Sequence, residues 1–278
     1  MSSVIGLREN WRAFAEFAAN VARYRVLIKE MTRRDLFEPY AGQMFGAAWT
    51  FLHPLVLMGV YVFVFNVVFK VKMGGTVDLP RDYTTYLLSG LIPWLGIVAG
   101  MSKGAGVLLM HANLVKQVVF PIEVLPVKST LASLVPQAFG LGLLLIYQLL
   151  QNGLPPATYL LLPLVVAMQF AFMLGVAFLF SIISCFVRDM KDLVQVMAVV
   201  GIYLLPVCYQ PAWVPALFKP LLYVNPFSYV IWVYQDTLYF GRFEHPYAWG
   251  VCGLMSFLSL VFGYRLFRSQ KPHVASLL

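Results

Sequence analysis

Residues 158–187 read T-Y-L-L-L-P-L-V-V-A-M-Q-F-A-F-M-L-G-V-A-F-L-F-S-I-I-S-C-F-V, thirty positions without a charge. As a helix rising 1.5 Å per residue, the run is about 45 Å long, enough to cross a hydrocarbon core of roughly 30 Å. Further apolar runs flank it on both sides, at 46–69, 84–109 (interrupted late by Lys103), 129–150, 193–209 and 246–264. The whole chain of 278 residues is 60% hydrophobic and only 12% charged, with a mean hydropathy of +0.77. A water-soluble fold of this size carries about a quarter charged residues, so the composition excludes a soluble domain. The expected class is an all-α polytopic membrane protein with six transmembrane helices.

Charge sets the orientation. Six spans return both termini to one side, and fifteen of the twenty Lys and Arg fall there, among them Arg33, Arg34, Lys116, Arg188, Lys191, Arg265 and Lys271. Only Lys70, Lys72, Arg81, Lys219 and Arg242 fall on the other. Subtracting acids leaves +7 on the first side and +1 on the second, out of a net +8, and the positive-inside rule makes the first side cytoplasmic. The charge is thus an orientation signal rather than a nucleic-acid footprint, and no nucleic-acid partner is expected.

Residues 210–245 are too apolar for a solvated loop and too interrupted by Pro211, Pro215, Pro220 and Pro226 for a regular span. Two short re-entrant helices dipping from the periplasmic side and turning at Asn225-Pro226 fit this pattern. A seventh span would export Arg265, Arg268 and Lys271 against the charge bias. Residues 1–45 form a cytoplasmic segment in which Leu7, Trp11, Phe14, Ala18, Val21 and Ile28 recur at helical spacing. That stripe predicts an amphipathic interface helix lying among membrane lipids, as a simple anchor or as part of a gate. The transmembrane permease domain then covers 46–267 and a cytoplasmic tail 268–278. The first apolar run begins only after about 45 residues, so no cleavable signal peptide is expected.

Catalytic chemistry is sparse. There is no G-x-x-x-x-G-K-[ST], so ATP has no usual cradle in this chain. His53, His111, His245 and His273 are scattered, with neither H-E-x-x-H spacing nor a neighbouring acid pair, and Cys185, Cys208 and Cys252 form no metal or disulfide pattern. No bound cofactor or metal is expected. The predicted spans hold almost no ionisable residue beyond His53 and Lys103, whereas an ion-coupled carrier needs an intramembrane carboxylate or a broken-helix ion site. The energy for any transport is therefore expected from a separate subunit.

Between spans two and three, residues 111–126 form an amphipathic, proline-bounded cytoplasmic segment, either a docking surface or an interfacial connector. The turn at 188–192 carries charges of both signs. The ordered set R-D-L-F-E-P-Y-A-G-Q-M-F-G-A-A-W (34–49), G-L-I-P-W (90–94), N-L-V-K-Q-V-V-F-P (113–121), F-V-R-D (186–189), P-V-C-Y (206–209) and N-P (225–226) resembles the membrane subunit of type-2 ABC polysaccharide exporters of O-antigen, capsule and teichoic acid. The resemblance runs from about residue 25 to 267. It implies a homodimer, a second copy of the chain completing a channel at the dimer interface, and two copies of an ATP-binding-cassette ATPase that hold ATP and Mg. It also implies a lipid-linked polysaccharide as cargo, carried on undecaprenyl pyrophosphate. By the same resemblance, Asn113, Leu114, Lys116, Phe120, Pro121 and Glu123 couple to the ATPase, with Arg188 and Asp189 nearby.

A sugar polymer presents C–H faces that suit flat aromatic surfaces. Tyr61, Phe65 and Phe69 form an i, i+4, i+8 stripe, which serves either packing and an interface belt or a pore lining. Tyr203, Tyr209, Trp213, Tyr223 and Tyr229 are the further channel candidates. Pro54, Pro93 and Pro206 are expected to kink spans one, two and five and to serve gating. Two other classes stay open: a type-2 ABC exporter of drugs or lipids on the same scaffold, and a membrane-embedded transferase, which the missing catalytic acids disfavour.

Overall fold

The computed structural model describes residues 16–70, 80–117 and 121–278, and their regular elements are all helical. The chief helices are α1 (Arg25–Phe37), α2 (Trp49–Val62), α3 (Tyr83–Met110), α4 (Ala112–Gln117), α5 (Val124–Asn152) and α6 (Leu162–Phe186). They continue with α7 (Met190–Leu204), α8 (Lys219–Val224), α9 (Pro226–Gln235) and α10 (Pro246–Leu277). Five helical stretches are long and apolar enough to cross a membrane: Gly46–Val68, Tyr83–Met110, Val124–Asn152, Ala157–Phe186 and Pro246–Val274. The first joins α2 to a π-helical turn, Phe63–Val68.

Two expected boundaries move. The fifth run does not stay helical to 209: α7 is 15 residues long and stops at Leu204, where Leu205 turns extended (φ −103°, ψ 153°). Pro206 therefore lies beyond the helix and introduces no kink within it, because a proline just past a helix end removes no intrahelical bond. Conversely, the residues expected as a tail remain helical, since α10 runs on to Leu277. Pro54 and Pro93 do sit inside α2 and α3, and both helices continue across them. The Leu7, Trp11 and Phe14 part of the amphipathic stripe lies outside the described residues, while residues 16–23 and α1 are helical with Ile28 and Leu36 buried.

α3 is the axis of the fold. It packs against α5, α6, α7 and α9, and 72% of its most apolar stretch is buried within the chain, against 6% for Gly46–Val68. The more apolar of these two stretches is thus the one its own chain covers least. Small residues bring the central helices close, as expected where no hydrophobic drive separates protein from lipid. A Cβ on Gly263 would lie 2.2 Å from the Gly175 carbonyl oxygen, and one on Gly175 would lie 2.2 Å from the Ser259 backbone, so only glycine permits the α6–α10 crossing. Ser259 Oγ adds a 3.0 Å hydrogen bond to the Phe172 carbonyl there.

Midway along the bundle, a buried polar group ties three helices. The amides of Gln137 on α5 and Gln169 on α6 bond reciprocally, at 2.7 and 2.8 Å. Gln137 Nε2 also donates to the Tyr234 hydroxyl of α9 at 3.0 Å, and that hydroxyl donates to Gln169 Oε1. In an apolar interior such groups must satisfy one another. The apolar side chains form two clusters. One surrounds α3 and α9, and the other gathers Ile28, Ile122, Leu125, Phe178, Tyr264, Phe267 and Val274 at one end of the bundle. That end carries the ion pairs Lys128–Asp35, Lys271–Glu123 and Arg268–Glu16. The opposite end carries the Arg242–Glu244 ion pair and the His245–Asp236 hydrogen bond.

Candidate functional site

The break after α7 builds an open cavity. Once Leu205 leaves the helix, the carbonyls of residues 206–209 lose helical partners and need donors. Side chains from α3 and α9 provide them. Tyr83 donates to the Cys208 carbonyl at 2.7 Å and Tyr86 to those of Tyr209 (2.8 Å) and Pro206 (3.2 Å). Gln235 Nε2 donates to Pro206 at 2.6 Å. The turn so held sends the chain outward through Tyr209 to the 3-10 turn Pro211–Trp213. Between that turn, the end of α7 and α8 opens a cavity of about 350 Å³ lined by Tyr203, Leu204, Tyr209, Trp213, Phe218 and Leu222, among others. Tyr203 and Trp213 are 60% and 51% exposed.

The Tyr61–Phe65–Phe69 stripe forms as spaced. Tyr61 stacks on Phe65 (6.4 Å, 10°), Phe65 meets Phe69 edge-on at 5.5 Å, and Phe65 reaches Tyr83 at 6.2 Å. Tyr83, which Phe65 touches, holds the Cys208 carbonyl, and this links the stripe to the cavity side of the bundle. The other two channel candidates belong to a different group. Tyr223 and Tyr229 pack on Trp232 at 5.3 and 5.4 Å, and both meet Tyr247. The structure therefore divides the eight aromatics into a stripe, a cavity and a cluster on the far side of α8.

Asp236 anchors that cluster and stands out only in the folded chain. Its carboxylate, 1% exposed, accepts from the His245 backbone N–H (3.0 Å), His245 Nδ1 (2.9 Å) and Trp249 Nε1 (3.0 Å). His245 thus pairs with Asp236, nine residues away, while the adjacent Glu244 pairs with Arg242. The bonds pin the end of the short-helix region to the start of α10, and the His245 ring stacks on Trp232 at 5.3 Å. Asn225 caps α9 by accepting from the Phe227 N–H, which gives the N-P turn its local cause. At the entrance to α3, Asp82 accepts from Thr85 and from the Tyr147 hydroxyl. The pattern D-Y-T-T is a legible cap signal. Beside it, burial pushes the Arg81 guanidinium below its ordinary value, with Tyr159, Tyr239 and Asp82 opposing.

At the cation-rich end, α4 presents Asn113 and Lys116 exposed and Leu114 half-buried. Phe120 lies outside the described residues. Pro121 is half-buried and Glu123 is 8% exposed, its carboxylate taken by Lys271 at 2.5 Å. Arg188 and Asp189 are fully on the surface between α6 and α7, flanked by exposed Phe186 and Val187. Nearby, Lys128 is 1% exposed and bonds both Asp35 (2.6 Å) and His111 Nε2 (3.1 Å), fixing α1 to the start of α5. Among the described residues, no three His, Cys, Asp or Glu side chains come together as a metal site.

No family model matches the chain. Two proteins of Klebsiella pneumoniae, each named O-antigen export system permease protein RfbA, are 23% and 22% identical to it over 253 residues, covering 91% of this chain and 95% of each relative. A protein of the same name from Myxococcus xanthus is 26% identical over 255 residues with the same coverage. The similarity extends along nearly the whole of both partners, and together with five membrane-length apolar helices it supports a transmembrane permease subunit of a type-2 ABC exporter.

Proposed function

We infer that this chain, similar over 91% of its length to O-antigen export permeases, is the membrane subunit of an ATP-driven exporter carrying a lipid-linked polysaccharide across the bacterial inner membrane. The observation that carries the reading is the meeting of Tyr203, Tyr209 and Trp213 around one open cavity in a chain of that kinship. Aromatic faces hold sugar C–H surfaces without tight directional bonds, which suits a polymer that must keep sliding. α7 acts as the fifth of six spans despite its length, completed outward by the 205–210 turn, and α8 and α9 form the re-entrant pair on the periplasmic side. Both termini are then cytoplasmic, as the charge distribution requires.

Two copies enclose the channel, with the little-covered Gly46–Val68 and α7 facing the partner copy. α7 rests on α3 along a narrow seam of Val194, Ala198, Gly201 and Ile202, where Trp94 Nε1 donates to the Ala198 carbonyl at 3.3 Å. Such a seam lets α7 move as a unit. Two copies of an ATPase, which hold ATP and Mg, engage α4 and the Arg188–Asp189 turn and convert hydrolysis into that movement. The chain itself catalyses nothing.

Export in a strain lacking its own permease, complemented by this chain with its ATPase, tests the reading. Tyr203→Ala with Trp213→Ala is expected to lower surface glycan several-fold while the subunit stays in the membrane bound to its ATPase. Unchanged export removes the channel assignment. Most of the cavity lining is aliphatic or phenyl, including Leu204, Val214, Pro215, Phe218 and Leu221, and this favours one second reading, an exporter of lipids or apolar drugs. Transport of an apolar dye, lost in the same variant while glycan export is kept, would select it.

A further inference from the structure

The C-terminal part of α10 does not hang free. Phe267 and Val274 are 0% exposed, and the Phe267 ring meets Phe178 of α6 at 4.9 Å. Across from it, Phe17 packs edge-on to Tyr264 (5.3 Å) and Phe178 (5.9 Å), and Arg268 pairs with Glu16 at 3.0 Å. The N-terminal helical residues in turn share a narrow cleft with Pro121, Glu123, Val124 and Val127. Three segments far apart in sequence are therefore knotted together where the chain passes from α4 to α5. The bond that closes the knot is Lys271 Nζ to Glu123 Oε1. The Glu123 side chain is 10% exposed, whereas that of Lys271 is 43% exposed. A carboxylate so covered needs a cation, and Lys271 supplies it.

We propose that Lys271 is a positioning residue for energy coupling: through Glu123 it fastens residues 121–123, at the foot of α5, to the last membrane helix, so that a push received through α4 is delivered to α10 as well as to α5. This rests on the reading of α4 as the ATPase contact. Without the fastening, the segment yields locally when pushed and only α5 receives the displacement. Hydrolysis then continues with less transport per ATP. Lys271 touches neither nucleotide nor cargo, and its effect appears in the ratio of the two activities.

The test uses the full permease–ATPase complex in proteoliposomes, measuring exported glycan and released phosphate together. Lys271→Glu is expected to lower glycan exported per ATP several-fold, and Lys271→Glu with Glu123→Lys to restore at least half of it. A ratio unchanged in Lys271→Glu, or not restored by the exchange, overturns the proposal. Where either variant misfolds, Lys271→Cys with Glu123→Cys is used, joined by a thiol crosslinker of about side-chain length. The ratio should be low before crosslinking and recover after it, and no recovery at full crosslinking also overturns it. A photocrosslinker at Asn113 separates the two readings. Absence of any adduct with the ATPase refutes the α4 contact itself, whereas an adduct with an unchanged ratio refutes only the role of Lys271.

Discussion

Replacing Gln137 with leucine tests whether the polar group between α5, α6 and α9 holds the bundle together. Gln137 takes part in three buried hydrogen bonds, two with Gln169 and one with Tyr234. Leucine is close to glutamine in size, and Gly96 already leaves room for the side chain, since a Cβ there would lie 1.9 Å from Gln137 Oε1. The loss is therefore polar rather than a cavity. Interhelical hydrogen bonds in membranes average about 0.6 kcal/mol and reach about 1.7, so three amount to about 2 kcal/mol and at most about 5. The lower figure is expected, because Gln169 keeps the Tyr234 hydroxyl and a 3.2 Å contact with Met173 Sδ. Unfolding in mixed micelles titrated with SDS, followed by circular dichroism, should show a fall of about 2 kcal/mol, a factor of roughly 30 in the unfolding constant. A double-mutant cycle with Tyr234→Phe should give a coupling of about 0.5 kcal/mol or more. A Gln137→Leu protein within about 0.3 kcal/mol of the parent, with no coupling to Tyr234, refutes the reasoning.

Gly263→Leu should prevent the close approach of α6 and α10 and destabilise the chain by about 1–3 kcal/mol or more, seen as earlier thermal aggregation in detergent. Gly201→Ala places a methyl 2.2 Å from the Trp94 ring, and it should push α7 off α3 and lower export while α4 still crosslinks to the ATPase. Lys128→Met leaves Asp35 and His111 without their cation; as the Asp35 side chain is 23% exposed, the loss should stay below the roughly 3–5 kcal/mol of a fully buried pair, and Asp35→Asn in the same chain should recover part of it in the SDS titration. Tyr86→Phe strips the donor shared by the Pro206 and Tyr209 carbonyls, and about 1–3 kcal/mol is expected to be lost in that titration, with glycan export reduced alongside.

The apolar helices are legible in the sequence because a bilayer allows few alternatives: any backbone crossing it must satisfy itself, and length with hydropathy locates it. The N-P cap at Asn225 and the Tyr61–Phe65–Phe69 stripe are local patterns, and both form. What escapes the sequence is set by distant partners. α7 ends early because Tyr83, Tyr86 and Gln235 can take over the carbonyls after it, and they stand up to 125 positions away. α10 continues past its apolar run because Phe267 and Val274 find a core at the cation-rich end. Glu123 reads as a contact for the ATPase, and nothing local reveals that Lys271, 148 residues later, covers it. Asp236 and His245, nine apart across a π-helical turn and a left-handed Gly241, fit no familiar spacing.

The unequal wrapping of the helices bears on how the gene tolerates change. In a saturation mutagenesis scored by export, α3 should reject even conservative apolar exchanges along most of its length, because its neighbours on several sides fix the shape of each side chain. Gly46–Val68 should accept leucine for valine or phenylalanine almost anywhere except Thr50, Met58 and the aromatic stripe, since lipid asks only for hydrophobicity. Positions on that helix that resist exchange although nothing in their own chain touches them would outline the footprint of a second subunit, drawn by genetics alone.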